Sequence, residues 1–325
     1  TIYINKYMNK SEAKKIVTDC YLKILNRNPD NFGLNHYVDL LVQKKINSLQ
    51  LDLLFRNSKE FLLKFPQTMP DLIFLNNEDK IPNLNIVAMY RIKNVERWIG
   101  KSIESASKIC DKIVILDDGS TDNTVKICKT FSSVVDIHEQ NDLVFDETRD
   151  RNLLLQMALK YNPNYILVLD GDEIIMPGME KILYEDLKYL HPNYDVFEFQ
   201  SLEMSEQPNR YRINNPLTNY IHIALFKVGN QKNLHFLPTK FPHNMHCSKI
   251  PDNFNNKNNI SLSRMKILHY GYYNQKLKQT KFDLYNELDP NATDFYNYEH
   301  LINPEKFSIP DDFAYLSEGN YIKDI

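Results

Sequence analysis

The chain is poor in the residues that would assign it to a class of protein at once. Of 325 residues only 8 are glycine and 4 are cysteine, and the cysteines lie far apart without a CxxC pair: Cys20, Cys110, Cys128 and Cys247. Neither a disulfide framework nor a structural zinc site is therefore indicated. Since isolated, reduced thiols are typical of the cytoplasm, we expect a cytoplasmic protein, and contact with a membrane surface is left open.

Charge and hydropathy exclude further classes. The formal net charge is −3, so no basic excess predicts a nucleic-acid partner. Apolar runs long enough to span a bilayer and a signal-peptide pattern are both lacking, so no transmembrane segment is expected. The sequence is nevertheless 42% hydrophobic, which is enough to bury a core. It begins at Thr1, and we expect it to be a piece of a longer protein.

Residues 1–65 predict a small all-α module. The stretch SEAKKIVTDCYLKIL places apolar side chains at helical spacing, with Ser11 as the candidate N-cap. Residues 26–33, NRNPDNFG, are turn formers and predict a loop, and further helices are expected from Leu34 and from Ser48. Residues 66–83 contain three prolines and predict a linker.

From residue 84 to about 180 the pattern alternates between strands and helices. Four apolar runs predict strands: LNIVAMY (84–90), KIVIL (112–116), SVVDI (133–137) and YILVLD (165–170). Between them, VERWIGKSIESASKI, a stretch from about Asp122, and ETRDRNLLLQMALKY predict helices. Continuous apolar strands that alternate with helices indicate an α/β fold with a mainly parallel, Rossmann-like sheet covered on both faces.

Beyond residue 190 the predicted strands alternate apolar and polar residues. YDVFEFQSLEM (194–204) and YIHIALFKV (220–228) indicate an antiparallel or mixed extension of the sheet. KILHYGYY (266–273) predicts a short strand and turn, and residues 275–289 predict a helix.

Two carboxylates follow the fourth predicted strand, with a glycine between them. Asp170 and Asp172 would point the same way in an extended backbone, and Gly171 would let a ligand approach closely. One interpretation is a hydrated β-turn, since Asp-Gly is a common turn pair. The other is a site for Mg²⁺ or Mn²⁺, which relieves the repulsion between the carboxylates and prefers oxygen ligands.

A second acidic motif, DDGSTD, follows the predicted strand 112–116. Asp117 and Asp118 end that strand, and the residues after them are suited to cap the next helix. The motif is consistent with an ordinary strand–turn–helix connection. It is also consistent with a ligand site, because these carboxylates could accept hydrogen bonds from a base N–H or ribose hydroxyls. Ligands of parallel sheets bind beyond the carboxyl ends of the strands, where both acidic motifs lie.

The motifs IVAMYRIKNVERWIGKSIESA, IVILDDGSTDNT, ETRDRNLLLQMAL and ILVLDGDEI, in this order and spacing, resemble the family 2 glycosyltransferases with the GT-A fold. The resemblance covers about residues 84–180. It implies that the end of the first strand and its turn, Met89 to Asn94 with Tyr90 among them, and Asp117 or Asp118 lie around the nucleotide base and ribose. Similarly, YLKILNRNPDNFGLNHYVDLL and RNSKEF resemble a helical module of unknown function found in surface-glycan proteins.

The same resemblance implies roles for the residues around the diphosphate. Arg151, assisted by Arg149, would lie near the nucleotide. DGD would be the family's DxD motif, with Asp172 as the direct ligand of Mn²⁺ or Mg²⁺ and Asp170 nearer to the ribose and the metal waters. His269, in the segment HYG, would complete the metal site or touch the diphosphate.

The implied activity is a metal-dependent, inverting transfer of a sugar from a nucleotide donor, by default a UDP-sugar, to a glycan, lipid or protein acceptor. The metal would stabilise the diphosphate leaving group, and a carboxylate base would deprotonate the acceptor. Glu203 is the first candidate for this base, with Glu198 and Glu206 as alternatives. His243 and Asn244 would lie near the acceptor. The domain would then comprise residues 84–325, with a nucleotide-sugar half (84–180) and an acceptor half (181–325).

Two other functions are compatible with parts of this pattern. A phosphatase of the haloacid dehalogenase type also carries a DxD at a strand end, but on the first strand of its domain, whereas here the DD motif comes first. A non-catalytic glycan-binding protein on a transferase fold is the second. Nucleotide-sugar binding and phosphate release would discriminate between the three.

Overall fold

The computed structural model describes the greater part of the chain. The described residues are 9–43, 46, 48–56, 58, 60–61, 84–140, 145–190, 195–213, 221–229, 233–238, 247–254, 260–288, 298–303, 312–316 and 318–324. The chain divides into two compact units, Thr1–Asn76 and Asn77–Ile325. The linker predicted at 66–83 lies outside the described residues, so its boundaries stay a prediction.

Among the described residues, the first unit has three helices with defined bounds, as expected: α1 (Lys10–Leu25), α2 (Asn31–Val42) and α3 (Ser48–Arg56). Two predicted boundaries are wrong. The side chain of Asn9, not Ser11, accepts the capping hydrogen bond of α1. Helix α2 begins at Asn31 rather than Leu34, because the Asp30 carboxylate accepts a 2.7 Å hydrogen bond from the Gly33 N–H and so caps the helix inside the predicted loop.

Aromatic packing and the ion pair between Arg27 and Glu60 connect the helices of the first unit. The rings of Tyr21 and Phe55 meet edge to face with their centroids 4.6 Å apart. Arg27 donates two hydrogen bonds, of 2.7 and 2.8 Å, to the Glu60 carboxylate. These contacts join α1 to α3 and to the residues that follow α3, so the module has a core of its own.

The second unit contains ten strands among the described residues. They are β1 (Ile86–Ile92), β2 (Lys112–Asp117), β3 (Val134–Glu139), β4 (Tyr165–Asp170), β5 (Glu173–Ile175), β6 (Val196–Ser205), β7 (Gln207–Ile213), β8 (Ile221–Lys227), β9 (Ile260–His269) and β10 (Asp312–Tyr315). The main sheet has the order β10-β7-β6-β8-β4-β1-β2-β3, and β9 pairs with β5 and β6. All four strands predicted before residue 180 are present.

The sheet changes direction at β4. Strands β4, β1, β2 and β3 are parallel neighbours, whereas β8 pairs antiparallel with both β4 and β6. The antiparallel or mixed extension predicted after residue 190 is thus confirmed. The sequence analysis did not predict strands β5, β7 and β10.

Helices connect the parallel strands. In chain order the helices of this unit are α4 (Glu96–Ala106), α5 (Thr124–Cys128), α6 (Glu147–Leu159), α7 (Glu180–Leu190) and α8 (Gln275–Leu288). Helix α4 buries one face, with Trp98, Ile99, Ile103 and Ala106, as its sequence pattern predicts. Helix α6 contributes Leu154, Leu155 and Ala158 to the core beneath β1, β2 and β4. In the part of the chain that the structure describes, no helix is both long and apolar enough to cross a membrane.

Candidate active site

The carboxyl ends of β2, β1 and β4 bring the two acidic motifs to one edge of the sheet. Ile92 of β1 is in register with Asp117 of β2, and Arg91 of β1 is in register with Asp170 of β4. Asp117 and Asp170 therefore lie within one residue of each other in register, on the two strands that flank β1. This edge is where ligands of parallel sheets bind, and the structure places the candidate site there.

The turn between β4 and β5 needs a glycine for a steric reason. A Cβ atom on Gly171 would lie 2.6 Å from Cγ2 of Val95 and 3.1 Å from Cγ2 of Ile92. The absence of a side chain lets the turn pack directly on the loop after β1. That contact fixes Asp170 and Asp172 on either side of the turn.

Pairing of β5 with β9 sets His269 beside Asp172. Glu173 of β5 is in register with His269 of β9, and the Tyr270 N–H donates a 2.9 Å hydrogen bond to the Asp172 carbonyl. As a result, Nε2 of His269 lies 3.7 Å from Oδ1 of Asp172. Two residues that the resemblance assigns to the metal, about 100 positions apart, are thus neighbours.

Glu203 lies behind the His269 ring. These residues are in register on the parallel strands β6 and β9, and Oε1 of Glu203 lies 3.3 Å from Nδ1 of His269. Among the described residues this buried oxygen has no aligned hydrogen-bond donor, so the contact is mainly electrostatic. Burial by itself would lower the pKa of His269, but the charges of Glu203 and Asp172 outweigh burial and raise that pKa to about 8.

Asp170 is surrounded by cationic side chains. Its carboxylate lies 2.7 Å from Nζ of Lys249 and 3.8 Å from Nη2 of Arg151. Burial opposes ionisation of Asp170, yet the charges of Lys249 and Arg151 lower its pKa below the ordinary value. The carboxylate is therefore ionised at neutral pH.

Glu173 holds this arrangement in place. Its Oε2 accepts a 2.8 Å hydrogen bond from the Asp170 N–H, and its carboxylate accepts two more, of 2.9 and 3.0 Å, from Lys249. The Glu173 side chain is buried. Sequence reasoning assigned no role to Glu173 and did not single out Lys249, which is 76 residues away in the chain.

Arg151 lies at the rim of the same cluster. Its Nη2 donates a 2.6 Å hydrogen bond to Glu147, one turn earlier on α6. Its Nη1 is buried and has no hydrogen-bond partner among the described residues. A buried guanidinium with an unused donor next to Asp170 is suited to an anionic ligand.

The nucleotide side of the predicted site is an ion-pair network centred on Arg91. Arg91 contacts Asp118 at 2.7 Å and Asp150 at 2.8 Å, and Arg149 reaches the other oxygen of Asp150 at 2.9 Å. Asp118 also accepts a 2.9 Å hydrogen bond from Gln140. Arg91 follows an apolar run inside a strand, and the sequence analysis included it only within the range Met89 to Asn94, without a role of its own.

Asp117 differs from Asp118 in having an unused oxygen. Its Oδ2 accepts a 2.9 Å hydrogen bond from the Ser120 N–H, which closes the turn. Its Oδ1 is buried and unpaired among the described residues. Of these two acids, Asp117 is therefore the one with a free acceptor for a ligand N–H or hydroxyl.

Asn94 and Tyr90 are placed in structural positions. Asn94 adopts a left-handed backbone conformation (φ 49°), and its Oδ1 accepts a 2.8 Å hydrogen bond from the Thr121 N–H, so it joins two loops. Tyr90 is fully buried, with its hydroxyl 3.1 Å from Oγ of Ser102 on α4. The structure does not bring the Tyr90 side chain to the cluster around Asp172.

The remaining candidates lie apart or outside the described residues. Glu206 is exposed in the turn between β6 and β7, where it pairs with Arg210 at 3.0 Å. Glu198 is half-buried on β6, five residues before Glu203. His243 and Asn244 lie outside the described residues, so the predictions for them stay predictions.

Asp172 and His269 fit a divalent cation as a partial ligand set. A Cβ atom on Gly271 would lie 2.5 Å from Nε2 of His269 and 2.8 Å from Oδ2 of Asp172, so the absence of a side chain at this glycine lets the two groups come together. Within the described residues no three His, Cys, Asp or Glu side chains are grouped to hold a metal ion. Such a site suits Mg²⁺ or Mn²⁺, which commonly take one or two protein ligands together with phosphates and waters.

Sequence comparison assigns this unit to a known family. The profile of Glycosyl transferase family 2 matches residues 87–253, just over half of the chain, and the chain belongs to this family. The profile of a domain of unknown function, DUF4214, matches residues 2–65. Both resemblances proposed from the motifs are confirmed, and the mixed α/β sheet with its parallel half is the GT-A class of fold that they imply.

Curated relatives are similar over shorter stretches. An uncharacterized glycosyltransferase of Rickettsia typhi is 24% identical over 142 residues, which is 43% of this chain and 46% of that protein. An uncharacterized protein of Mycobacterium tuberculosis is 28% identical over 98 residues, or 28% of this chain and 24% of that protein. The chain thus spans a quarter to a half of the length of these relatives.

Solved structures show a distant likeness. TarS of S. aureus in complex with UDP has a TM-score of 0.41 at 13% identity, covering 70% of this chain and 72% of TarS. Glucosyl-3-phosphoglycerate synthase of M. tuberculosis with Mg²⁺ and UDP has a TM-score of 0.30 at 17% identity, covering 37% and 44%. Likenesses of this size carry no argument about the site residues.

Proposed function

We propose that the chain is a glycosyltransferase that moves a sugar from a nucleoside-diphosphate donor to a hydroxyl of a glycan, lipid or protein acceptor, with a divalent cation and inversion at the anomeric carbon. The observation that carries the proposal is the pair Asp172 and His269, 3.7 Å apart at the carboxyl edge of the sheet in a family 2 chain. UDP-sugar is the default donor because it is the commonest donor of the family that the motifs resemble.

Departure of the nucleoside diphosphate defines what the site must do. Negative charge develops on the diphosphate oxygens as the bond to the sugar breaks, and preorganised positive charge stabilises it. Arg151 offers a buried, unused N–H donor next to Asp170. A divalent cation held by Asp172 and His269 would supply electrophilic stabilisation of the same charge.

The donor nucleoside would lie toward β2. Asp117 has a buried, unpaired carboxylate oxygen there, suited to accept a hydrogen bond from a base or ribose. Asp118, by contrast, already binds Arg91 and Gln140. We therefore assign the nucleoside contact to Asp117, and Asp118 would position Arg91.

We propose Glu203 as the general base, and its contact with His269 gives it a second role as the group that orients the imidazole. A base must reach the acceptor hydroxyl directly or through one water. The Glu203 carboxylate lies against Nδ1 of His269, where it would also orient the imidazole toward Asp172, as carboxylates commonly do behind a metal-bound histidine. Comparing the pH profiles of kcat for Glu203→Gln and His269→Gln would separate the two roles.

The test of the proposal is donor binding and turnover. We expect UDP or a UDP-sugar with Mn²⁺ to raise the melting temperature, and slow hydrolysis of the donor to be detectable without an acceptor. Asp172→Ala should lower metal-dependent turnover by roughly 100-fold or more while leaving the circular dichroism spectrum unchanged.

The matched control is Asp283→Ala, which removes an exposed carboxylate on α8 and should leave turnover unchanged. Full activity of Asp172→Ala would contradict the metal assignment. If UDP, GDP and CDP sugars with Mn²⁺ all fail to shift the melting temperature, the transferase proposal itself is wrong.

A further inference from the structure

Lys281 approaches the proposed metal position from a different part of the chain. It lies on α8, and its Nζ is 3.2 Å from Oδ2 of Asp172. The same ammonium lies 4.6 Å from the centre of the Tyr272 ring. These contacts hold a positive charge against the carboxylate that the proposed function assigns to the cation. Burial opposes the charge of Lys281, but Asp172 outweighs it and the lysine pKa is raised well above its ordinary value.

Three groups converge beside Gly271. The position that a Cβ atom would take on this glycine is in close contact with Nζ of Lys281 and lies within 3 Å of both Nε2 of His269 and Oδ2 of Asp172. A divalent cation bound to Asp172 and His269 would therefore lie close to the ammonium. Two cations cannot share this space without strong repulsion.

Lys281 is less firmly held than the other lysine of the site. Lys249 contacts two carboxylates, those of Asp170 and Glu173, at 2.7 to 2.9 Å, and its side chain is 14% exposed. Among the described residues Lys281 contacts a single carboxylate, that of Asp172, at 3.2 Å, and its side chain is 26% exposed. The difference indicates that Lys249 is a fixed part of the site, whereas Lys281 can exchange its partner.

We propose that Lys281 is a tethered counter-ion of Asp172. Without a donor its ammonium neutralises the carboxylate in competition with the divalent cation, and on donor binding the ammonium moves to an oxygen of the diphosphate. The inference rests on the proposed function, since it takes the nucleoside diphosphate as the ligand. It makes Lys281 a competitor of the cation at Asp172 in the donor-free protein and a binding residue for the donor.

The proposal predicts effects of opposite sign for one substitution. In Lys281→Met the competitor of the cation is lost, so Mn²⁺ should bind the nucleotide-free protein roughly tenfold more tightly, a change of about 1.4 kcal/mol. The same variant lacks the ammonium that would contact the diphosphate, so its affinity for UDP without metal should fall several-fold. A residue that merely supported the fold would not improve the binding of one ligand while weakening the other.

The experiment is calorimetric titration of the full chain with Mn²⁺ alone and with UDP alone. Lys276→Met is the matched control, since it removes an exposed lysine from the same helix and should leave both affinities unchanged. Lys281→Arg keeps the charge and should resemble the parent in both titrations. Helix α8 has no fully buried residue, so these variants are expected to fold, which circular dichroism checks.

Equal or weaker Mn²⁺ binding by Lys281→Met would overturn the inference, as would unchanged UDP binding. If one of these two results is obtained and the parent protein binds UDP, the proposed function stands although the inference fails. If the parent binds neither UDP nor Mn²⁺, the proposed function fails, and the inference falls with it.

Discussion

At the scale of single residues, the surroundings of His269 change the pH range in which it titrates. It lies between Glu203 on one side and Asp172 on the other, and their charges raise its pKa to about 8 against an ordinary value of 6.5. A histidine with a raised pKa in the folded state stabilises the fold when it is protonated. This contribution is fully present below about pH 6.5 and is lost as the pH rises through about 8.

We expect an NMR titration of the metal-free protein to give a pKa near 8 for His269. In Glu203→Gln this pKa should fall by about a unit or more, because the neighbouring negative charge is removed. Glu206→Gln is the control, since it removes an exposed acid three residues later and should not change the titration. A Glu203→Gln protein with an unchanged His269 pKa would show that the charge of Glu203 does not act on the ring.

At the scale of elements, the turn that joins β4 to β5 is sterically constrained at Gly171. Gly171→Ala should destabilise the protein by about 1–3 kcal/mol, because the new Cβ would overlap with the Val95 side chain. The measurement is the free energy of unfolding from urea titration. Combining Gly171→Ala with Val95→Ala should recover part of the loss.

Gly100→Ala is the control for this experiment. A Cβ atom there would make an ordinary contact of 3.5 Å with Ile127, and alanine favours the helix more than glycine does. We therefore expect Gly100→Ala to be neutral or stabilising. A Gly171→Ala protein as stable as the parent would contradict the steric role of this glycine.

The elements were predictable where one pattern dominates. Strands β1, β2 and β4 are continuous apolar runs because both of their faces are buried, and they end in acidic turns that mark the site edge. Burial on both faces also means that the sequence does not show which face of the strand a side chain is on. Since β1 is apolar on both faces, its sequence does not predict that Tyr90 points toward α4. Strand β5 has three residues, which are too few to show the alternation of apolar and polar side chains that predicts a strand.

The ion pairs of the site could not be predicted from the sequence. Lys249 and Lys281 reach the DxD motif from positions 79 and 109 residues away, by way of β9 and the segments around it. Single lysines in polar stretches carry no signal of a partner, because most are solvated. The sequence predicts Glu203 as the first of three candidate acids, and the register of β6 with β9, which places it next to His269, distinguishes it from Glu198 and Glu206.

For the whole molecule, the two compact units predict separate proteolytic fragments. Each unit has its own buried residues, and the sequence predicts a proline-containing linker at 66–83. We expect limited proteolysis to cut within this range and to release a fragment that begins near residue 77 and still binds UDP. Mass spectrometry and a thermal shift assay provide the measurements.

Two results would contradict this division of the chain. One is cleavage spread through residues 84–325 before any cut in the range 66–83. The other is loss of UDP binding in a fragment that retains its circular dichroism spectrum, which would show that the helical module is needed for donor binding.

The distance along the chain between the partners at Asp172 also affects how the protein acquires its activity. Asp172 and Lys281 are 109 residues apart, and Glu173 and Lys249 are 76 apart, so both contacts require the closure of long loops. Contacts between distant residues form late in folding, whereas helices form early. During synthesis, moreover, the ribosome must release Lys281 before Asp172 can acquire this partner. In a refolding experiment we therefore expect the helical circular dichroism signal to return before UDP binding does. During the interval between the two, the chain has its secondary structure but its donor site is not yet formed.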